Sequence, residues 1–198
     1  MEVRSVETIF SALNAADVKY LVVGGLAVNA YGYERLTRDV DLVIDLEREN
    51  IIRGLRALLS LGYRMSIPVT PEQFADPGNR EAWRKEKNMT VLRLWSDFHG
   101  RTPIDIFVYE PFLFAQEYTV ARWEKVGEEL KTSVVRRETL IAMKRSAARP
   151  QDLADIAELE KVEKLKLSGK NWNGWKRRRH SRCTWARTVN ARRTMPLD

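Results

Sequence analysis

The sequence predicts an α/β fold, in which a mixed β-sheet of about five strands is backed by helices and followed by a helical C-terminal portion. Short apolar runs with strand character occur at residues 19–23, 39–45, 88–95 and 103–109. Helix-length segments with apolar residues three and four positions apart occur at residues 5–16, 26–33, 47–61 and within 138–160. Strands that alternate with helices are typical of α/β proteins.

Length and charge indicate one folded domain with a distinct tail. The 198 residues suit a single domain with an appendage, and a hydrophobic share of 44% can fill a core. The first 163 residues carry 23 basic and 26 acidic side chains, whereas residues 164–198 carry eleven Lys and Arg against one acid. The net charge of +7 therefore belongs to the tail. We expect residues 1–163 to form the domain and residues 164–198 to be a flexible basic tail.

Several classes of protein are disfavoured. No apolar segment is long enough for a membrane span, and the first ten residues lack the apolar centre of a signal peptide. Cys183 alone supports no internal disulfide, and His99 and His180 are too few for a histidine metal site. We therefore expect a cytoplasmic protein without a membrane partner.

The first elements precede a pair of glycines. Ser5 is placed to cap a helix over residues 5–16, and its apolar stripe consists of Val6, Ile9, Phe10 and Leu13. The strand at residues 19–23 leads directly into Gly24 and Gly25. A short helix over residues 26–33 is expected to end around Gly32.

The most informative segment is residues 22–45, VVGGLAVNAYGYERLTRDVDLVID. At Gly24 and Gly25 the backbone can approach a ligand, and N–H groups of the following helix can hold a phosphate. Asp39 and Asp41 open the second strand, where residues i and i+2 point to the same side about 6–7 Å apart. Because adjacent carboxylates repel, we expect a cation between them, and a divalent metal is the economical candidate.

Two other interpretations of Asp39 and Asp41 stay open at this point. The pair is also consistent with a solvated sheet edge, or with a structural pairing to Arg35 and Arg38. The glycine pair at the preceding strand end favours the metal, because the two features together are more specific than either alone.

The middle of the chain supplies a third carboxylate. A helix over residues 47–61 is followed by a predicted irregular loop over residues 66–82, which contains Pro68, Pro71, Pro77 and Gly78. In the strand at residues 103–109, Asp105 alternates with Ile104 and Ile106 and so faces the opposite side. Asp45, by contrast, lies about 13 Å along the strand from Asp41 and is too far away to join the site.

These residues resemble the nucleotidyltransferase superfamily, which has the polymerase-β-like fold. Its signature is Gly-Gly or Gly-Ser, a helix-length spacer, Asp-x-Asp or Asp-x-Glu, and a third carboxylate on a later strand. Gly24, Gly25, Asp39 and Asp41 match the first parts, and Asp105 falls at the last. The segment Arg35–Leu42, RLTRDVDL, is particularly similar to small bacterial members, including abortive-infection-type toxin nucleotidyltransferases. The resemblance covers about residues 5–160.

The resemblance implies a chemistry and a set of partners. A nucleoside monophosphate would pass from a nucleoside triphosphate such as ATP to a hydroxyl group, with release of pyrophosphate. Asp39, Asp41 and Asp105 would be catalytic and would bind two Mg²⁺ ions, with Mn²⁺ as the alternative. The acceptor would be a tRNA 3′ end, a protein side chain or a small molecule, and a toxin would have a cognate antitoxin.

Residues 138–160 are expected to form two helices separated near Pro150. Lys144 and Asp152 resemble a Met-Lys and a later acid that recur in small relatives. By that match Lys144 contacts the triphosphate, Asp152 orients the triphosphate or the acceptor, and Arg35 and Arg38 are further candidates for nucleotide phosphates. The alternative is that Lys144 and Asp152 are solvated surface residues, with Asp152 as a helix cap.

The tail allows two interpretations. It combines a basic run at residues 176–179 with Trp172, Trp175 and Trp185, which suits RNA binding by phosphate contacts and base stacking. The alternative is a disordered or non-native extension without an evolved role, which the break in composition favours. The alternatives to an active transferase are thus an inactive nucleotide- or partner-binding module, and an RNA-binding protein that acts through its tail.

Overall fold

The computed structural model of the protein describes residues 2–127 and 129–167. Seven strands in these ranges form one mixed sheet: β1 Tyr20–Val22, β2 Val40–Ile44, β3 Arg64–Met65, β4 Val91–Trp95, β5 Ile104–Phe107, β6 Arg122–Val126 and β7 Leu130–Val134. The helices of the same ranges are α1 Val3–Ala15, α2 Gly24–Tyr31, α3 Arg48–Ser60, α4 Pro71–Ala75, α5 Pro77–Lys87, α6 Phe114–Thr119, α7 Arg137–Ala147 and α8 Pro150–Leu167.

The strand order across the sheet is β3-β4-β5-β2-β1-β7-β6. β2 runs parallel to β5, β1 runs parallel to β7, and the remaining neighbours are antiparallel. This arrangement confirms the predicted mixed α/β fold. β1 and β2 come first in the chain, and the later strands flank them on both sides. The segment with the glycine pair, Asp39 and Asp41 therefore lies in the middle of the sheet.

The predicted number of about five strands is wrong, because the sheet has seven. β3 is only two residues long and gives no periodic signal. β6 forms an antiparallel hairpin with β7 at one edge of the sheet, and its residues are mostly polar and only partly buried. An edge strand of this kind lacks the apolar alternation by which strands are recognised.

The prediction of an irregular loop over residues 66–82 is also wrong, since this segment contains α4 and the start of α5. Thr70 caps α4 by accepting a hydrogen bond from the backbone N–H of Gln73, and Asp76 caps α5 in the same way. Pro71 and Pro77 each occupy a first helical position, where the missing N–H has no partner to lose.

Smaller differences concern helix ends and faces. α1 begins at Val3, so Ser5 is not its cap; the Ser5 hydroxyl instead lies 2.8 Å from Nδ1 of His99. α2 begins at Gly24 and ends before Gly32, which has a φ of +108°. In α8, Ile156 and Leu159 are buried, whereas Leu153 is exposed.

The helices pack in two groups, and each group contacts the sheet. α1 packs against α3 and β7, whereas α2 packs against β2, α7 and α8. Within the described ranges, no helix combines the length and the apolar content needed to cross a membrane. Residues 168–198 lie outside these ranges, so the domain boundary near residue 163 and the basic tail stay predictions.

Candidate active site

Three charged side chains lie in a row across the middle of the sheet. Asp41 in β2 is the register partner of Asp105 in parallel β5, and Asp105 is the partner of Arg93 in antiparallel β4. Register partners point to the same face of a sheet, about 5 Å apart. Asp39 immediately precedes β2 and points to the side of Asp41. The fold thus brings the three predicted carboxylates together.

The glycine pair lies directly against this row. Gly24 has a φ of +61°, and a Cβ atom there would lie 1.8 Å from Oδ2 of Asp41. Any side chain at position 24 would therefore displace the Asp41 carboxylate. The backbone N–H of Gly25 donates a hydrogen bond to Asp41, and a Cβ at Gly25 would lie 2.4 Å from Oγ1 of Thr37. The start of α2 can approach both neighbours this closely only because it is glycine.

Arg93 is the residue of this site that the sequence did not reveal. Its Nε and Nη2 donate hydrogen bonds of 2.8 and 2.7 Å to the two carboxylate oxygens of Asp105, and Nη2 lies 3.8 Å from Oδ2 of Asp39. These contacts to Asp105 raise the pKa of Arg93. Arg93 thus pairs with Asp105 and lies near Asp39, whereas Arg35, one of the two arginines expected to pair with Asp39 and Asp41, pairs with Asp155. We call Asp39, Asp41, Asp105 and Arg93 the carboxylate cluster.

Asp41 is the most perturbed acid of the cluster. Burial, together with the negative charges of Asp39 and Asp105, raises its pKa to about 7. The hydrogen bond from Gly25 and the positive charge of Lys144 act in the opposite direction but do not outweigh these effects. Asp41 is therefore an acid of the cluster whose charged form is disfavoured.

Lys144 lies in a second group of charges, formed by α7 and α8. Its Nζ donates hydrogen bonds of 3.0 Å to Asp152 and 2.6 Å to Asp155, and all three side chains are buried. Arg149 donates a 2.7 Å hydrogen bond to Asp152. Burial alone would raise the pKa of Asp152, but the hydrogen bonds from Arg149 and Lys144 hold that pKa below its usual range. The interpretation of Lys144 and Asp152 as solvated residues is wrong.

Arg35 joins this second group through Asp155. Its Nε and Nη2 lie 2.7 and 2.9 Å from the two carboxylate oxygens, although the two residues are 120 positions apart in the chain. Asp155 is a further residue of this group that was not expected from the sequence. The feature that could have indicated it is its position three residues after Asp152, on the same face of α8. Arg38 is exposed. We call Lys144, Asp152, Asp155, Arg35 and Arg149 the buried ion network.

The loop between α2 and β2 connects the two groups. The side chain of Asn29 in α2 donates a 3.0 Å hydrogen bond to the carbonyl of Arg35 and accepts one of 2.9 Å from the N–H of Arg35. Two residues further on, Oγ1 of Thr37 lies 3.5 Å from Oδ1 of Asp39. The loop is therefore held at Arg35 from two sides before it delivers Asp39.

The predicted contrast with Asp45 agrees with the geometry. Asp45 follows the last residue of β2, and its side chain accepts a hydrogen bond from the backbone N–H of Glu47 at the start of α3. Asp45 therefore organises a helix entry, at the opposite end of β2 from Asp39.

The fit of a divalent cation differs between the acids. Asp39 and Asp41 carry the hard oxygen ligands that Mg²⁺ prefers, and they lie close enough for the charge of Asp39 to raise the pKa of Asp41. Both oxygens of Asp105 are engaged by Arg93. In residues 2–127 and 129–167, no three Asp, Glu, His or Cys side chains converge as a ready-made metal cage.

Comparison with known proteins identifies the family. Residues 9–184 match the family model described as nucleotidyl transferase AbiEii toxin, type IV toxin–antitoxin system. The chain belongs to this family. The AbiEii match spans every residue of the carboxylate cluster and of the buried ion network, and it confirms the predicted nucleotidyltransferase of the toxin–antitoxin type. No curated protein matches the chain closely.

Proposed function

We propose that this protein transfers a nucleoside monophosphate from a nucleoside triphosphate to a hydroxyl of a cellular tRNA or protein, in a magnesium-dependent reaction. The observation that carries the proposal is the row formed by Asp41 and Asp105 on adjacent parallel strands, with the start of α2 at Gly24 directly against it. Asp39 completes the acidic group. A small-molecule acceptor is the alternative that the experiment below distinguishes.

Asp39 and Asp41 are proposed to hold the magnesium ion. When bound, Mg²⁺ would neutralise the carboxylates and the phosphate oxygens and would favour in-line attack on the α-phosphorus. The backbone N–H groups at the start of α2 lie beside Asp41 and are suited to phosphate oxygens. The residues of the chain therefore act mainly by positioning and by charge.

The remaining residues are assigned to the nucleotide and the acceptor. Arg38 is exposed one position before Asp39 and is suited to a phosphate. Lys144 already lowers the pKa of Asp41 through its charge; its proposed contact with the triphosphate requires it to share its ammonium between phosphate and carboxylates. Asp152 and Arg35 then act by holding this group in place.

Asp105 is proposed to orient the acceptor hydroxyl. In the reaction, a bond forms between the acceptor oxygen and the α-phosphorus, and the bond from that phosphorus to the pyrophosphate oxygen breaks. The hydroxyl proton leaves to Asp105 or to solvent. As a member of a toxin–antitoxin family, the protein is further proposed to have a cognate antitoxin that restrains its activity.

The test is transfer of label from each of the four α-labelled nucleoside triphosphates, with Mg²⁺, onto total RNA and total cell protein. Asp39→Asn and Asp41→Asn are the disabling variants. Asp45→Asn is the matched control, because it changes the same residue type near β2 but lies at the other end of the strand.

We expect label with the native chain and with Asp45→Asn, and none with the other two variants. The labelled fraction identifies the acceptor class and the preferred nucleotide. Label that persists in Asp39→Asn and Asp41→Asn contradicts the proposed site. If neither RNA nor protein is labelled but the chain binds magnesium–nucleotide, the small-molecule acceptor replaces RNA and protein. If the chain also fails to bind magnesium–nucleotide, an inactive partner-binding module replaces the enzyme.

A further inference from the structure

The superfamily resemblance implies two divalent ions on three carboxylates, yet one of these carboxylates already has a cation. Both oxygens of Asp105 accept hydrogen bonds from Arg93, in the bidentate geometry that is the strongest arrangement of an arginine and a carboxylate. The same guanidinium lies 3.8 Å from Asp39. Arg93 thus bridges the first and third acids, where a second metal ion would bind.

Arg93 is a built-in part of the sheet. Its neighbours Leu92 and Leu94 are fully buried, and the alternation of β4 therefore directs Arg93 to the opposite face. Its register partner on β5 is Asp105 itself. The buried leucines on either side therefore fix the face of β4 from which Arg93 projects.

We propose that Arg93 takes the place of the second divalent cation at Asp105, so that the site binds a single divalent ion, on Asp39 and Asp41. This inference rests on the proposed function, because it assumes that those two aspartates bind the catalytic metal. A dication at Asp105 would compete with Arg93 for the same oxygens and would be repelled by the guanidinium charge. Asp41 is farther from Arg93, because Asp105 lies between them in the row.

The experiment counts Mn²⁺ ions bound per chain by electron paramagnetic resonance of free Mn²⁺, with and without a non-hydrolysable α,β-methylene nucleotide. We expect one protein-bound ion in the wild type and a second in Arg93→Gln, where Asp105 has lost its partner. Arg64→Gln is the matched control: Arg64 is an exposed arginine on the adjacent strand β3 and pairs with Asp97. It should bind one ion, like the wild type.

A double variant locates the second ion. Arg93→Gln combined with Asp105→Asn removes both the guanidinium and the carboxylate charge, so the count should return to one. Circular dichroism of each variant verifies its fold. The wild-type count itself decides the inference even if a variant does not fold.

The outcomes separate this inference from the proposed function. Two ions in the wild type, or one ion in a folded Arg93→Gln, overturn the role of Arg93 and leave the transferase intact. A wild type that binds no Mn²⁺ in either condition overturns both. Loss of the single ion in Asp39→Asn places it where the inference requires.

Discussion

The carboxylate cluster and the buried ion network are built from the same residue types but are balanced differently. The cluster has three acids and one base, and the Asp39 and Arg93 side chains remain 34% and 53% exposed. The network has two acids and three bases, and Asp155 at its centre is fully buried and bonded to both Lys144 and Arg35. Both acids of the network have cationic partners, and its formal charge is +1, whereas the cluster has a formal charge of −2. A cation is therefore expected to bind at the cluster and not at the network.

The largest change in the free energy of unfolding should come from disrupting the buried ion network. Asp155→Ala leaves the buried Lys144 without its shortest hydrogen bond and Arg35 without its partner, and should lower the free energy of unfolding by about 3–5 kcal/mol. Urea denaturation measures the loss. Glu160→Ala, on the same helix with a half-exposed partner in Arg145, is the control and should change it by less than about 0.5 kcal/mol. If Asp155→Ala lowered the free energy of unfolding as little as Glu160→Ala does, the buried ion network would not stabilise the fold.

Removing an acid from the carboxylate cluster should lower activity without lowering stability. Asp39→Asn is expected to lower the rate of nucleotide transfer by about 100-fold or more, because the proposed Mg²⁺ ion loses one of its two carboxylate ligands. The charge that develops on the phosphate oxygens is then stabilised less well. Its free energy of unfolding should stay the same or rise, since the mutual repulsion of the acids decreases. Steady-state transfer and urea denaturation of one preparation test both parts, and a variant that loses activity only because it unfolds would contradict the distinction.

The contact between glycine and carboxylate sharpens the comparison. Gly24→Ala introduces a Cβ that collides with Asp41 and places alanine at a φ of +61°, which should cost about 2 kcal/mol of stability and reduce transfer as well. Gly100→Ala is the control, because the nearest atoms to a Cβ there are 3.7 Å away. Thermal unfolding distinguishes the two, and a neutral Gly24→Ala would mean that the backbone does not need this close approach.

The last prediction is a pH dependence of the free energy of unfolding. The folded state raises the pKa of Asp41 to about 7, so it favours the neutral carboxyl. The stability this provides is complete at pH values below the ordinary aspartate pKa and is lost as the pH rises through about 7. In EDTA, Asp41→Asn should match the wild type near pH 4 and exceed its free energy of unfolding by about 4 kcal/mol near pH 8, since each pKa unit is worth about 1.4 kcal/mol. Urea denaturation across this range measures the difference; a constant offset would contradict the shift.

The sequence predicted the carboxylates better than it predicted their partners. Strand alternation, which is a local property, predicts that Asp39 and Asp41 share a face, and the family resemblance adds Asp105; the sheet does bring the three together. Arg93 meets Asp105 because of the register between β4 and β5, which depends on the whole connection between these strands. Asp155 meets Arg35 across 120 residues, and no local pattern specifies such a contact.

The errors in the fold have equally specific causes. The segment around Pro71 and Pro77 was interpreted as a loop because proline usually interrupts structure, although Thr70 and Asp76 directly before them are helix-capping residues. β6 was missed because it is an edge strand with partly exposed polar residues. The central strands, which carry the site, have strong apolar patterns, and they were predicted within two or three residues of their ends.

The hold of Asp155 on Arg35 has a consequence for the order in which the protein is synthesised. The loop that delivers Asp39 leaves the ribosome long before α8, which supplies the carboxylate that fixes this loop. A growing chain that already has Asp39, Asp41 and Asp105 therefore still lacks one of the two anchors of the loop at Arg35. We expect the geometry of the carboxylate cluster to be complete only once α8 has been synthesised.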